Sequence, residues 1–234
     1  MEEGRLNLQV LAKQDNFNDW LFSAIKPFIF GRILEVGCGE GTISRRLIID
    51  FPRNKICLSD VDGQYLAQLK INFSGQNIQV RKLDLCSAAD FDSFGQEKFD
   101  TVVCSNVLEH IPDELFTLEK IYGLLRPAGK LILVVPQYPR LFNKLDEAAG
   151  HVRRYGQNEL IDKALNVGFT IEKLESFNAA GLMGWFLNGT LFQSRKLSQT
   201  AFTAFNALVP IIKFIEKNIF GRRFGLSIIA VLKK

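Results

Sequence analysis

Three glycines, Gly37, Gly39 and Gly41, fall within five residues of "LEVGCGEGT", after an apolar run and a carboxylate, Glu35. So bare a backbone lets a ligand press against the main chain near amides at the start of a helix. The dinucleotide pattern G-x-G-x-x-G needs a glycine at position 42, where Thr42 stands. Glu35 would also repel a phosphate. The pattern E-x-G-x-G-x-G suits a ligand that carries positive charge and hydroxyls. Asp60, closing "NKICLSD", is placed to accept hydrogen bonds from a ribose diol, with Asp62 the competitor for that role. Asp84, in "VRKLDL", could bond an adenine amino group, with Leu85 against the ring.

The second half offers different chemistry. His151 opens "HVRRY" and is a candidate general base for a hydroxyl acceptor, or else a surface histidine bonded to backbone. Arg153 and Arg154, beside Tyr155, suit planar capture of a carboxylate or phosphate, with a structural salt bridge as the alternative. His110, in "LEHIP", reads as a loop-shaping residue. The only histidines are His110 and His151, without ligand-like spacing, so no metal is expected. Cys38, Cys57, Cys86 and Cys104 lie far apart with no C-x-x-C pair, and three sit in or beside apolar runs. They read as packed, reduced thiols. A cysteine nucleophile of the kind used at cytosine C5 would want a neighbouring proline, which "VVCSNV" lacks.

Alternating elements must position these groups. "GRILEVG", "NKICLSD", "NIQVRKLD", "FDTVVCSN", "GKLILVVP", Phe169 to Glu175 and "LSIIAVLKK" read as seven strands. "TISRRLIIDF", "GQYLAQLKINF", "PDELFTLEKIYGLL" (with Pro112 at its start) and "QNELIDKALNVGF" read as helices between them. The alternation predicts an α/β fold with a parallel sheet covered on both faces. Residues 137–155 and 177–224 are too long for plain connections, and such insertions carry specificity. In the second, Phe202, Phe205, Val209, Ile212, Ile215 and Ile219 form one apolar helical stripe interrupted by Pro210. The stripe is expected to pack as a cap over the ligand crevice. A lipid-facing role is the alternative, because Lys213, Lys217, Arg222 and Arg223 lie nearby.

Taken in order, "LEVGCGEG", "LSDVD", "LDL", "FDTVVCSNVLEHIPD" and "LLRPAGKLILVVP" resemble the class I S-adenosylmethionine-dependent methyltransferases. S-adenosylmethionine, with its sulfonium, ammonium and ribose diol and no phosphate, fits the ligand inferred above. The flanks "FNDWLFSAIKPF" and "GHVRRYGQNELIDKALNVGF" resemble a bacterial branch found with glycosyltransferases and cell-envelope polysaccharide genes. The resemblance implies one Rossmann-like domain over residues 1–234. Its seven-stranded sheet should be mostly parallel, in order 3-2-1-4-5-7-6 with the last strand antiparallel, and a helical insertion should precede that strand. It also implies cofactor contacts from Cys38, Val61, Ser105 and Asn106 besides the glycines and acids above. Trp20, Arg153, Arg154 and Tyr155 should lie on the acceptor side, with His151 over the acceptor.

The expected reaction is O-methylation of a glycan or lipid-linked acceptor. A quinone or other small metabolite, or a non-catalytic cofactor-binding module, is the alternative. The usual [DN]-P-P-[YF] of amino-group methylation is replaced by "SNVLEH". A net charge of +4 spread over isolated basic doublets gives no footprint for nucleic acid. The acidic start "MEEGRLNLQV" has no apolar core of a secretory signal, and no apolar run approaches a membrane span. A cytoplasmic protein is expected, with peripheral contact at the inner membrane face if the Phe-rich stretch meets lipid.

Overall fold

A computed structural model describes residues 2–216, 218 and 223–234. Seven strands form one sheet: β1 (Ile33–Val36), β2 (Ile56–Asp60), β3 (Ile78–Lys82), β4 (Phe99–Ser105), β5 (Leu125–Pro136), β6 (Thr170–Phe177) and β7 (Ser227–Lys233). Their order is β3-β2-β1-β4-β5-β7-β6, as expected. The pairings from β3 to β5 are parallel, and β7 runs antiparallel to both β5 and β6.

Strand side chains alternate between two apolar layers, as the period of two requires. Leu34, Val36, Val102, Cys104, Leu131 and Leu133 enter one layer, with Leu118, Ile121 and Leu160 from the helices α6 (Glu114–Leu124) and α8 (Gln157–Val167). Ile33, Val103, Ile132, Val134 and Ile229 enter the other, beneath α2 (Asp15–Ile25), α3 (Thr42–Asp50) and α4 (Gly63–Asn72). Both faces are therefore covered, which suits strands that are apolar along their whole length. Asp62 caps α4 by accepting from the Gln64 amide at 2.7 Å, and Asp113, following Pro112, caps α6 through the Phe116 amide at 3.0 Å.

Several expectations change. Two helices, α1 (Glu2–Ala12) and α2, precede the sheet. Trp20, expected on the acceptor side, is buried in the core instead, its ring 4.4 Å from that of Phe177. It faces inward because α2 lays its apolar side on the sheet. The link over 137–155 contains a short helix, α7 (Lys144–Ala149).

The stretch after β6 forms α9 (Ala179–Trp185), a π-helical turn (Phe186–Leu191) and α10 (Gln199–Ile215). Pro210 does not interrupt α10. A proline has no N–H for the carbonyl four residues back; here the Asn206 carbonyl accepts from Asn16 Nδ2 at 3.0 Å instead. Asn206 Oδ1 also accepts from the Phe17 amide in the first turn of α2, at 3.0 Å. The stripe packs on α2 rather than over a crevice: Val209 is buried, and Phe205 lies 6.1 Å from Phe17. Ile219, Lys217 and Arg222 lie outside the described residues.

Candidate active site

The turn after β1 emerges at the carboxyl edge of the sheet where the strand order reverses between β1 and β4, the usual ligand position of open α/β sheets. Gly37, Gly39 and Gly41 all adopt left-handed φ, of 69°, 46° and 77°. A Cβ on Gly37 would lie 2.3 Å from Val107, and one on Gly41 would lie 2.7 Å from Leu69. Around Gly39 a Cβ would meet nothing within 4 Å. The outer two glycines therefore serve packing, and the middle one leaves an open face. Cys38 ties the turn to β2 through Ser59, whose carbonyl accepts from its amide at 3.0 Å and from its thiol at 2.9 Å. Burial raises that thiol far above the usual range, so it is a packed residue and no nucleophile.

Two buried carboxylates flank this turn. Glu35 accepts from Ser44 Oγ at 2.6 Å, and Asp60 accepts from the Gly39 amide at 2.8 Å and the Asp62 amide at 2.9 Å. Burial pushes Glu35 up to about 8; the Ser44 hydrogen bond offsets part of this and the charge of Asp60 adds to it. Neither acid has an ion-pair partner among the described residues. A cationic ligand bearing hydroxyls supplies what this pair lacks.

Farther along the edge, Asp84 is half-buried and accepts from the Cys86 amide at 2.9 Å, while Leu85 is buried beside it. Val61 is exposed, Ser105 half-buried, and Asn106 exposed with φ of 54°. These residues end or follow β2, β3 and β4, so the fold gathers every residue expected at the cofactor along one edge.

The link after β5 builds a second constellation on that edge. His151 Nδ1 lies 2.8 Å from Asp146 Oδ1 on α7, and its Nε2 lies 3.8 Å from Glu109 Oε1. Asp146 also accepts from Arg154 Nε at 2.8 and 2.9 Å and from Trp185 Nε1 at 3.3 Å. Burial pushes Asp146 up, but the hydrogen bonds from His151 and the Arg154 charge outweigh it and hold it below the usual carboxylate range. His151 is thus no plain surface histidine, since only its backbone amide bonds to a carbonyl, that of Asp146.

The expected acceptor contacts of Arg154 and Tyr155 are corrected by this packing. Arg154 is buried, donates from Nη1 to the Gln137 carbonyl at 2.9 Å, and lies 4.8 Å over the Trp185 ring. Tyr155 is fully buried and donates to Glu114 at 2.6 Å. Arg153 pairs with Glu114 at 2.5 Å and donates to the Pro112 carbonyl at 2.8 Å. The salt-bridge alternative describes both arginines, and Tyr155 commits its hydroxyl to a buried hydrogen bond.

Glu109, Glu114 and Asp146 have no signature in the sequence beyond their charge; they acquire partners only through the fold. One signal was available. Asn106 and Asn178 take φ of 54° and 67° directly after β4 and β6, and Tyr138, two residues past β5, takes 65°. Left-handed residues other than glycine collect at functional sites, and Asn tolerates that conformation better than Tyr.

Residues 34–131 match the model of a methyltransferase domain. The chain carries a methyltransferase domain. It holds the glycine turn, Asp60, Asp84 and the Ser105–His110 loop. An uncharacterised methyltransferase of Mycobacterium bovis is 32% identical over 127 residues, covering 54% of this chain and 61% of that protein. A probable polyketide synthase of Dictyostelium discoideum is 32% identical over 164 residues, which are 61% of this chain and 6% of the synthase. The chain thus spans less than two thirds of these relatives.

Solved structures extend the likeness beyond the methyltransferase domain. An S-adenosylmethionine-dependent methyltransferase from Mesorhizobium loti superposes with a TM-score of 0.64 at 15% identity, over 92% of this chain and 98% of that one. Another, from Clostridium acetobutylicum, gives 0.59 at 12% identity, over 93% and 90%. At such identities the likeness is one of fold, the Rossmann-like class I methyltransferase sheet.

Proposed function

We propose that the protein transfers a methyl group from S-adenosylmethionine to a hydroxyl oxygen of a lipid-linked acceptor. The carrying observation is the buried Glu35–Asp60 pair beside the open face of Gly39, on the same sheet edge as His151. When bound, the cofactor supplies an electrophilic methyl on a sulfonium, displaced in line with the C–S electron pair returning to sulfur. Glu35 and Asp60 compensate its positive charge and, with Asp84, orient its ribose and adenine. His151, held by Asp146, takes the proton that the acceptor hydroxyl releases. Residues 137–155 and 177–224 form the acceptor side of a single domain.

The lipid reading rests on what the insertion leaves uncovered. Met183, Leu191, Phe192, Leu208, Ile211 and Phe214 are all exposed, and an apolar band of this kind marks an interaction surface. Among the described residues no helix is long and apolar enough to cross a membrane, so contact would be peripheral, at the cytoplasmic face. The resemblance of the flanks to the polysaccharide-associated branch favours a glycan on a lipid carrier. A quinone acceptor is the second reading, favoured by one relative: a ubiquinone biosynthesis O-methyltransferase of Aeromonas salmonicida, 26% identical over 117 residues and 47% covered.

Calorimetry with S-adenosylmethionine and S-adenosylhomocysteine tests the first half of the reading, and should show one site per chain. Asp60→Ala should weaken both by about 1.5–3 kcal/mol, the contribution of a hydrogen bond to a charged group. Absence of heat, or an unchanged affinity in the variant, counts against the assignment.

A further inference from the structure

We propose that Glu109, His110 and His151 form a binding site for one divalent first-row transition ion, of which Zn2+ is the probe. Their ligand atoms all lie within 4.8 Å of one another. Spacing alone does not reveal the pair, because the two histidines lie on separate loops; the fold brings their rings to 4.8 Å between centroids.

Each histidine is prepared in the way a metal ligand is. His151 Nδ1 is held by the Asp146 carboxylate at 2.8 Å, and His110 Nδ1 by the Gly150 carbonyl at 3.1 Å. A carbonyl only accepts, so Nδ1 of His110 carries the hydrogen and its Nε2 keeps a lone pair. The carboxylate imposes the same tautomer on a neutral His151. Carboxylate and carbonyl partners on the far nitrogen are the usual supports of metal-bound imidazole.

The third ligand is the independent sign. Glu109 is fully buried, and neither of its oxygens has a hydrogen-bond partner among the described residues. A buried carboxylate left so is costly, and His151 Nε2, 3.8 Å from Glu109 Oε1, carries no hydrogen to offer it in that tautomer. Two imidazole nitrogens and one carboxylate oxygen suit Zn2+ and its neighbours, not Mg2+ or Ca2+, which prefer oxygen sets. With bonds of about 2.0–2.2 Å, donors sit at most about 4 Å apart, so the widest pair must close by less than about 1 Å. Three protein ligands leave a coordination position open, and exposed His110 places the site within reach of solvent.

This inference rests on the methyltransferase reading for its consequence. With an ion bound, His151 is a ligand and no longer a free base. An acceptor hydroxyl on the open position is acidified by the ion and loses its proton to water.

Titration of chelator-stripped full-length protein with Zn2+ should show one saturable site per chain and a raised melting temperature. Glu109→Gln and His110→Asn should each weaken binding at least tenfold. His110 is exposed, so its variant should fold, and S-adenosylmethionine titration of the same preparations reports this. No saturable site, or a His110→Asn variant that binds Zn2+ like the parent, overturns the proposal. Cofactor binding without Zn2+ binding overturns the metal site alone, whereas Zn2+ binding without cofactor binding overturns the methyltransferase reading alone.

Discussion

The turn after β1 and the link after β5 meet on one edge of the sheet, yet they treat charge in opposite ways. Around Gly39 two buried acids, Glu35 and Asp60, are held by neutral donors only. Around Asp146 a buried acid is bound by a guanidinium, an imidazole and an indole. The first region leaves its acids without a cation, for something that arrives; the second uses its acid to hold the loop together. Substitutions in the first should therefore act on a ligand, and substitutions in the second on the fold.

The largest expected effect lies in the second region. Asp146→Ala strands the buried Arg154 and should destabilise the protein by about 3–5 kcal/mol in urea unfolding, the cost of breaking one partner out of a buried pair. A loss below about 1 kcal/mol would erase the contrast. Within the glycine turn the same contrast can be drawn between neighbours. Gly37→Ala combines left-handed strain with a clash against Val107, so its melting temperature should drop and cofactor binding should fall with it. Gly39→Ala has only the strain, about 1–2 kcal/mol. Its main effect should be on S-adenosylmethionine affinity, and equal behaviour of the two variants would remove the ligand role from the open face.

Glu35 gives a pH signature. Its folded pKa of about 8 exceeds the ordinary 4.5, so the folded state holds a proton that the unfolded chain releases between these values. Stability from this group is complete below about pH 4.5 and is lost as pH rises through 8. Glu35→Gln should therefore gain on the parent steadily over that window. The affinity ratio of S-adenosylmethionine to S-adenosylhomocysteine should rise through pH 8 in the parent, since ionised Glu35 attracts the sulfonium, and stay flat in the variant. A flat ratio in both would show that Glu35 does not sense the ligand charge.

The smallest effect on folding belongs to the apolar band. Leu208→Ser and Phe214→Ser should each change stability by no more than about 0.5 kcal/mol, being exposed. Together they should abolish sedimentation with anionic liposomes, and if the parent does not sediment the band has another partner.

The same contrast explains what could be read from the sequence. Strand order came with the family resemblance of the ordered motifs, whereas the strands and the glycine turn were legible because short apolar runs and clustered glycines are local signals. Asp60 was legible for the same reason, as an acid at a strand end. Arg154, Tyr155 and Trp20 were misplaced because their types suit acceptor contact and burial alike. Only the partners, Asp146, Glu114 and Phe177, decide between the two; Glu114 and Phe177 are distant in the chain, and Asp146 meets Arg154 only once α7 and its loop have folded. Glu109 passed unnoticed because an orphaned carboxylate has no sequence pattern.

Phe177 and Ser227 are register partners across β6 and β7, and Glu216 returns to bind the Asn178 and Ala179 amides at 3.0 and 2.7 Å. The long excursion between these strands thus leaves and re-enters the sheet at one stapled point. Closing a loop grows costly only slowly with its length, so segments of other sizes can be grafted there without disturbing strand register. Such a socket lets one scaffold exchange this excursion as a cassette, and under the proposed function residues 179–215 are the place to start when redesigning what the protein accepts.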